Sequence, residues 1–258
     1  MFKKIVPWIL LGTLGTAYAA YPEETEVISV PGETEIIRAP QRNAQFYVGA
    51  AVGVGSLNGH YSGKNITMNP PPDEHNANTG GDSFVGGLVL GVQKIMYDDL
   101  YVALQVNGLY DGLNHRMTMV NTGVFGERNH IVKTTNSYLY GADIRIGKSY
   151  DKIVPYILGG VEAGKWKMTL ENDSLAAHRG ILPQTKKDYS KNLVGPKAGF
   201  GLLVPVIKNV SLNLEYSYTF YNEKITKTLV DPITRFAWRH SDKVDQNMVL
   251  ANLNYNFD

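Results

Sequence analysis

From Gln45 to the end of the chain, apolar residues recur at every second position in run after run. The last run, Asp245–Phe257, shows the pattern most clearly. Val249, Ala251, Leu253, Tyr255 and Phe257 share one parity, and Gln246, Asn252, Asn254 and Asn256 share the other. A period of two is the signature of a β-strand with one apolar and one polar face. The same reading predicts strands over Gln45–Leu57, Ser83–Ile95, Leu100–Gly112, Thr135–Gly147, Ile153–Lys165, Asn192–Val206 and Val210–Tyr221. No stretch after the N-terminus approaches the roughly 18 apolar residues that a membrane helix needs.

The connections between these eight runs alternate in length. Short ones fall at Met96–Asp99, Ser149–Lys152 and Ile207–Asn209. Long ones, rich in turn-forming and charged residues, fall at 58–82, 114–133, 167–191 and 223–244. Strands of about 9–11 residues or more, joined by short turns at one end and long loops at the other, describe a transmembrane barrel. The aromatic residues agree with that. With strand directions alternating, Phe84, Tyr110, Tyr138, Tyr140, Tyr218 and Phe220 fall at one rim of the apolar face. Phe46, Tyr255 and Phe257 fall at the other. Rings prefer the two membrane–water interfaces. The predicted fold is an all-β, eight-stranded antiparallel up-and-down transmembrane barrel over 45–258.

Residues 1–19 read as a secretory signal peptide. Lys3 and Lys4 precede an apolar stretch from Ile5 to Leu14, and Ala17-Tyr18-Ala19 supplies a small-residue cleavage site before Ala20. Residues 20–44, with Pro22, Pro31 and Pro40, read as a periplasmic tail.

Composition narrows the functional classes. The net charge of +1 leaves no field suited to nucleic acid, and the absence of cysteine removes thiolate chemistry and disulfides. The 26 glycines and 16 tyrosines suit tightly packed sheets with wet ends.

The chain resembles the small OmpA/OmpX-type outer-membrane barrels, including the opacity-type surface antigens. The likeness rests on the signal peptide, the eight strands, the alternation of connections and the closing strand that ends Tyr255-Asn256-Phe257. The resemblance implies a Gram-negative outer membrane as the site, with both chain ends periplasmic and no cofactor or metal. Its implied partners are outer-membrane lipid and lipopolysaccharide, the barrel-assembly machinery with periplasmic chaperones, and a host or surface ligand at the loops. Tyr255 and Phe257 match the family's aromatic-x-aromatic assembly signal, although here Asp258 follows the last ring.

Candidate chemistry sits on the polar parity. Asp143, Arg145, Glu162, Lys197 and Glu215 would all face a lumen, where buried charges must be paired or each costs several kcal/mol. They are expected to form a structural salt-bridge network. A gated ion path through them, and hence a narrow pore, is the alternative, and catalytic carboxylates are a more distant one. All six histidines, His60, His75, His115, His130, His178 and His240, fall in the long connections without metal-ligand spacing. His240-Ser241-Asp242 invites the reading of a lipid-modifying barrel hydrolase, a more distant alternative, but a triad is assembled in space and not by adjacency. The long connections carry −2 over 58–82 and +2 over each of the other three, so basic groups there could meet lipopolysaccharide phosphates. The expected role is therefore structural or surface-interacting rather than enzymatic. A soluble lipocalin-like barrel would instead turn its apolar faces inward.

Overall fold

In the computed structural model, the described residues are 44–66, 74–123, 126–150, 152–174, 185–230 and 237–257. The expected signal peptide, and all of the expected tail but its last residue, lie outside them. Among the described residues nine strands are formed: β1 Gln45–Asn65, β2 Glu74–Ile95, β3 Leu100–Asp111, β4 Asn114–Gly123, β5 Gly126–Lys148, β6 Val154–Ser174, β7 Thr185–Ile207, β8 Val210–Val230 and β9 Ala237–Phe257. Every pairing between them is antiparallel. β1 pairs with β9 and β3 with β5, so β1, β2, β3, β5, β6, β7, β8 and β9 close an eight-stranded ring. β4 continues the line of β3 beyond a break at Gly112–Leu113 and pairs with β5.

The ring closes around a band of outward apolar side chains. Phe46, Val52, Val54, Phe84, Leu88, Leu90, Ile144, Ile157, Phe200, Leu214, Val249 and Leu253 all stand on its outer surface. Both groups of rim aromatics also face outward, Phe84 with 62% of its surface exposed. A soluble barrel would bury these faces, so the lipocalin-like alternative fails here. At the end with the short turns, Asp98 (φ 59°) and Asp99 (φ 61°) adopt left-handed backbone, which aspartate tolerates in tight hairpins.

The long connections are the main correction to the sequence reading. Most of 58–82, 114–133, 167–191 and 223–244 is strand. The β1–β2 ladder runs out to Lys64↔Glu74, and the β5–β6 ladder to Arg128↔Ser174. Of the histidines placed in loops, His60, His75, His115, His130 and His240 lie within strands, and His178 lies outside the described residues. Strands of 21–23 residues span roughly 70 Å at about 3.3 Å per residue, against an apolar band of about 25 Å in such barrels. Half of each strand therefore stands beyond the band, as a distal section.

The physical reason is a change of face. Within the band, apolar residues occupy the outward parity, as Val52 and Val54 do on β1. Further along the same strand they occupy the inward parity, as Leu57 and Tyr61 do. β6 passes likewise from outward Val161 to inward Trp166, Met168 and Leu170. The strand continues while the pattern inverts. The distal interior is an apolar core of Leu57, Tyr61, Leu113, Val132, Trp166, Met168, Leu170, Leu193, Tyr221, Ile225 and Val244.

The distal ring is not fully hydrogen-bonded. The β2–β3 ladder begins at Val85↔Asp111, and among the described residues no ladder joins β2 to β4 beyond it. The β7–β8 ladder ends at Lys197↔Thr219, next to Pro196, which has no N–H to donate, and an irregularity follows on β8 between Phe220 and Lys224. The distal section is thus two four-stranded leaves, β2–β1–β9–β8 and β4–β5–β6–β7, facing each other across the core. Lys191 pairs with Glu223 at 3.0 Å, and Lys227 lies 5.0 Å over the Tyr189 ring, both across the β7/β8 seam.

Candidate functional site

Inward parity on β5, β6, β7 and β8 brings Asp143, Arg145, Glu162, Lys197 and Glu215 together inside the banded section. All five side chains are sealed from solvent, at 0–1% exposure. Lys197 Nζ is the hub, 3.2 Å from Asp143 Oδ2, 3.6 Å from Glu215 Oε1 and 4.0 Å from Glu162 Oε2. Arg145 Nη2 donates to Glu215 Oε2 at 2.5 Å, and its guanidinium lies 5.0 Å over the Tyr156 ring.

Neutral donors complete the network. Tyr156 donates to Glu215 Oε2 at 3.3 Å. Tyr221 and Thr219 donate to Glu162 Oε1 at 2.9 and 3.0 Å, and Asn107 donates to Asp143 Oδ2 at 3.3 Å. Charge-assisted hydrogen bonds of this kind offset the desolvation of buried ions.

Small residues make room for the rings. A Cβ at Gly201 would stand 2.4 Å from the Tyr156 ring, and one at Gly91 would stand 2.4 Å from Tyr47. Tyr47 in turn donates to Gln105 Oε1 at 3.0 Å. Substituting either glycine would drive a ring into the network.

The opposite side of this lumen is apolar, with Ala51, Val85, Val89, Leu109, Leu139, Met248 and Leu250 packed together. An eight-stranded barrel is just wide enough for side chains to fill its interior, and the inward side chains of both groups are buried. Sequence reading found the charges by parity but not their partners Tyr156, Thr219 and Tyr221. It also missed a second buried polar group, in which Gln246 and Asn136 donate to Asp111 Oδ2 at 2.8 and 3.4 Å. Inward parity was the available signal; which inward residues meet across the lumen depends on barrel closure.

In the distal section, His240 and Asp242 face inward while Ser241 faces the other way, with its hydroxyl 3.3 Å from that of Thr226. Strand alternation therefore separates the serine from its sequence neighbours, and His240-Ser241-Asp242 forms no triad. His240 instead shares a hydrogen bond with Tyr61, and Asp242 accepts one from Thr134 at 2.8 Å across the two leaves. Burial pushes the Asp242 carboxyl up to about 6, with the Thr134 hydrogen bond and nearby His60 opposing it. Among the described residues, no group of three or more potential ligands could hold a metal ion.

Tyr255 and Phe257 project outward at the rim with the short turns, their rings 5.1 Å apart and edge-on.

A closed antiparallel ring with a lipid-facing apolar band, two aromatic rims and a charged, filled lumen defines a transmembrane β-barrel of the small outer-membrane type. The chain belongs to the outer membrane protein beta-barrel domain family, whose model matches residues 36–257, and this membership places it in the outer membrane of a Gram-negative bacterium. No curated protein matches it. Among solved structures, the chain is similar to the outer membrane protein OprG of Pseudomonas aeruginosa at 14% identity. That match covers 83% of this chain and 95% of the other, with a TM-score of 0.49. It is similar to the outer membrane protease OmpT of Escherichia coli at 8% identity, covering 82% and 97%, with a TM-score of 0.45. It is also similar to the attachment invasion locus protein Ail of Yersinia pestis at 14% identity, covering 81% and 99%, with a TM-score of 0.35.

Proposed function

We propose that the protein is a non-conducting outer-membrane barrel with a structural and surface-interaction role, carried by its distal section. In this reading Ala20 begins the mature chain and both ends lie in the periplasm. The distal section then stands outside the cell, where long extramembrane structure is usual for such barrels. Tyr255 and Phe257 serve as the signal read by the assembly machinery.

The observation that supports this reading is the sealed ionic network. Lys197 is held by three carboxylates and Arg145 by a fourth contact, all out of reach of water. A path for ions would have to pass these side chains or displace them. The apolar core beyond them closes the same axis a second time.

Single-channel conductance in a planar bilayer tests it, with the wild type beside an Arg145→Ala/Lys197→Ala double variant. The expected result is silence from the wild type and conductance from the variant. Steady wild-type conductance would make the protein a small pore and end this reading.

A further inference from the structure

The two distal leaves are arranged like the halves of a clamshell. Their seams, β2/β4 and β7/β8, lie four strands apart on an eight-stranded ring, and so on opposite sides of it. Below the seams the ring is hydrogen-bonded all round. Four breaks in regular strand geometry fall where the seams begin. They are Gly112–Leu113 between β3 and β4, Asn136–Leu139 on β5, Pro196 on β7 and Phe220–Lys224 on β8. Three of them meet the rim rings Tyr110, Tyr138 and Phe220. A bulge bends its strand, and a proline leaves its strand without a ladder donor. These breaks mark a hinge level between a closed ring and two sheets that no ladder joins at either edge.

The apolar core holds the leaves shut, and a carboxyl stands in it. Asp242 on β9 is wholly buried. Thr134 on β5, in the opposite leaf, donates to its Oδ2 at 2.8 Å, and its Oδ1 has no hydrogen-bond partner. Among the described residues it has no ion-pair partner either. A neutral carboxyl is tolerable in that place. A carboxylate held by a single hydroxyl is not, because an unpaired charge strongly favours water over an apolar interior. Burial holds this carboxyl at about 6 instead of its ordinary 3.8. Parting the leaves would return it to water and to the ordinary value.

The groups around Asp242 do not compensate a charge there. On its own strand the inward titratable neighbour is His240, which shares a hydrogen bond with Tyr61. On β1 its cross-strand partner is Tyr61, whose hydroxyl is pushed up by burial and stays protonated. His60, at the next position, is exposed and lies 3.1 Å from Asn78. On β8 its partner is the apolar Ile225. Glu223 on that strand is exposed and held by Lys191, and Lys227 lies over the Tyr189 ring of β7. From β4, half-buried His115 packs against Gly81 of β2. From β6 come Trp166, Met168 and Leu170, none of them charged.

We propose that the distal section is a clamshell worked by Asp242: the leaves are shut while this carboxyl carries a proton, and its loss shifts them towards a form parted at both seams and hinged at the rim. Each leaf keeps its own ladders. Opening therefore exposes the inner faces of the sheets, with Trp166 and Met168 on one and Tyr61 and Val244 on the other. The closed form holds a proton that the open form releases, so closure is favoured in acid and weakens as pH rises. An apolar contact surface is thereby presented only towards neutral pH. The device depends neither on whether the lumen conducts nor on which side of the membrane the distal section faces.

The test places a single thiol in the closed core. The chain has no cysteine, and Val132→Cys, a change of little volume, puts one at a buried position of β5. The mature protein in phosphatidylcholine nanodiscs is labelled with dithiodipyridine. Its rate at each pH is divided by the rate of the same chain unfolded in urea, and the ratio reads how often the core opens. The ratio is expected to rise roughly fiftyfold from pH 4 to pH 7, because each unit between the closed and open titration points is a factor of ten. With Asp242→Asn added, it should stay within about threefold of its pH 4 value. Hydrogen exchange over 128–136 and 166–174, corrected for intrinsic rates, should keep its protection at both pH values, since each leaf moves whole. Should Val132→Cys fail to fold, Val244→Cys on β9 carries the same readout.

A ratio that does not change between pH 4 and pH 7 would overturn the proposal. So would a rise that survives Asp242→Asn; its disappearance in His60→Gln/His115→Gln/His240→Gln would then name histidine as the trigger. A rise accompanied by equal loss of protection in 128–136, 166–174 and 84–95 would mean unfolding of the whole chain, and would overturn it too. The conductance test is read separately, since a conducting lumen would end the structural reading and leave the clamshell standing.

Discussion

The banded and distal sections are built from the same strands, and they solve opposite solvent problems. In the banded section the outside is apolar and the inside holds five ionisable side chains. In the distal section the outside carries lysines, asparagines and serines, and the inside is packed with Trp166, Met168, Tyr221 and their neighbours. Lipid cannot solvate charge, so the first section hides it in the lumen. Water drives apolar surface inward, so the second section has an ordinary hydrophobic core. Backbone closure follows the same logic. The banded ring is hydrogen-bonded all round, since an unpaired N–H or C=O in hydrocarbon costs several kcal/mol. The distal ring tolerates two seams because water can satisfy their edges.

The comparison can be broken first at the distal core. Trp166→Ala should cost about 4 kcal/mol, the usual loss for a fully buried tryptophan. Peptide-resolved hydrogen exchange should show faster exchange over 57–65 and 166–174 with 84–95 unchanged. Equal loss of protection in both regions would mean that the sections unfold as one unit. The next test moves a charge across the boundary. Leu88→Arg, outward in the band, should cost about 3 kcal/mol in a bilayer. Asn58→Leu, outward beyond the band, should change the urea midpoint by less than about 0.5 kcal/mol equivalent.

A smaller effect depends on pH. The Asp242 carboxyl is raised from an ordinary 3.8 to about 6 by burial. Between those values the folded state holds a proton that the unfolded state has released, so stability falls as pH rises. The stabilisation is full below pH 3.8 and gone above about 6, a loss of about 2–3 kcal/mol. Urea titrations at pH 4 and pH 7 should differ by that amount in the wild type. Asp242→Asn should remove most of the difference. The smallest effect belongs to the exposed Lys191–Glu223 pair across the β7/β8 seam. Lys191→Ala should cost under about 1 kcal/mol, as surface ion pairs do. A larger loss would show that this clasp, rather than the core behind it, holds the leaves together.

Much of this architecture was legible in the residues. Alternation along Gln45–Leu57 or Asp245–Phe257 needs only the geometry of one strand, and the outward aromatic rims followed from strand direction. The five lumen charges could be named one at a time because each sits on the polar parity of its own strand. The extent of the strands was not legible in the same way. At Leu57, Trp166 and Val244 the apolar residues change parity without any break in the chain, so a search for one face stops where the other begins. The proline-rich and charged composition of 58–82 and 223–244 reinforced a loop reading that the ladders at Lys64↔Glu74 and Val230↔Ala237 correct.

By itself, then, the sequence determined the fold class and the lipid-facing surface, and it put Asp143, Arg145, Glu162, Lys197 and Glu215 on inward parity, because those depend on periodicity within single strands. Only the tertiary structure decided that Lys197 is the hub of three carboxylates, that His240 meets Tyr61 and that Asp242 meets Thr134. It also decided that Arg116 stands directly opposite Lys133. Each of these is a distance between strands, and such distances are fixed by register and ring closure, which no single run of residues contains.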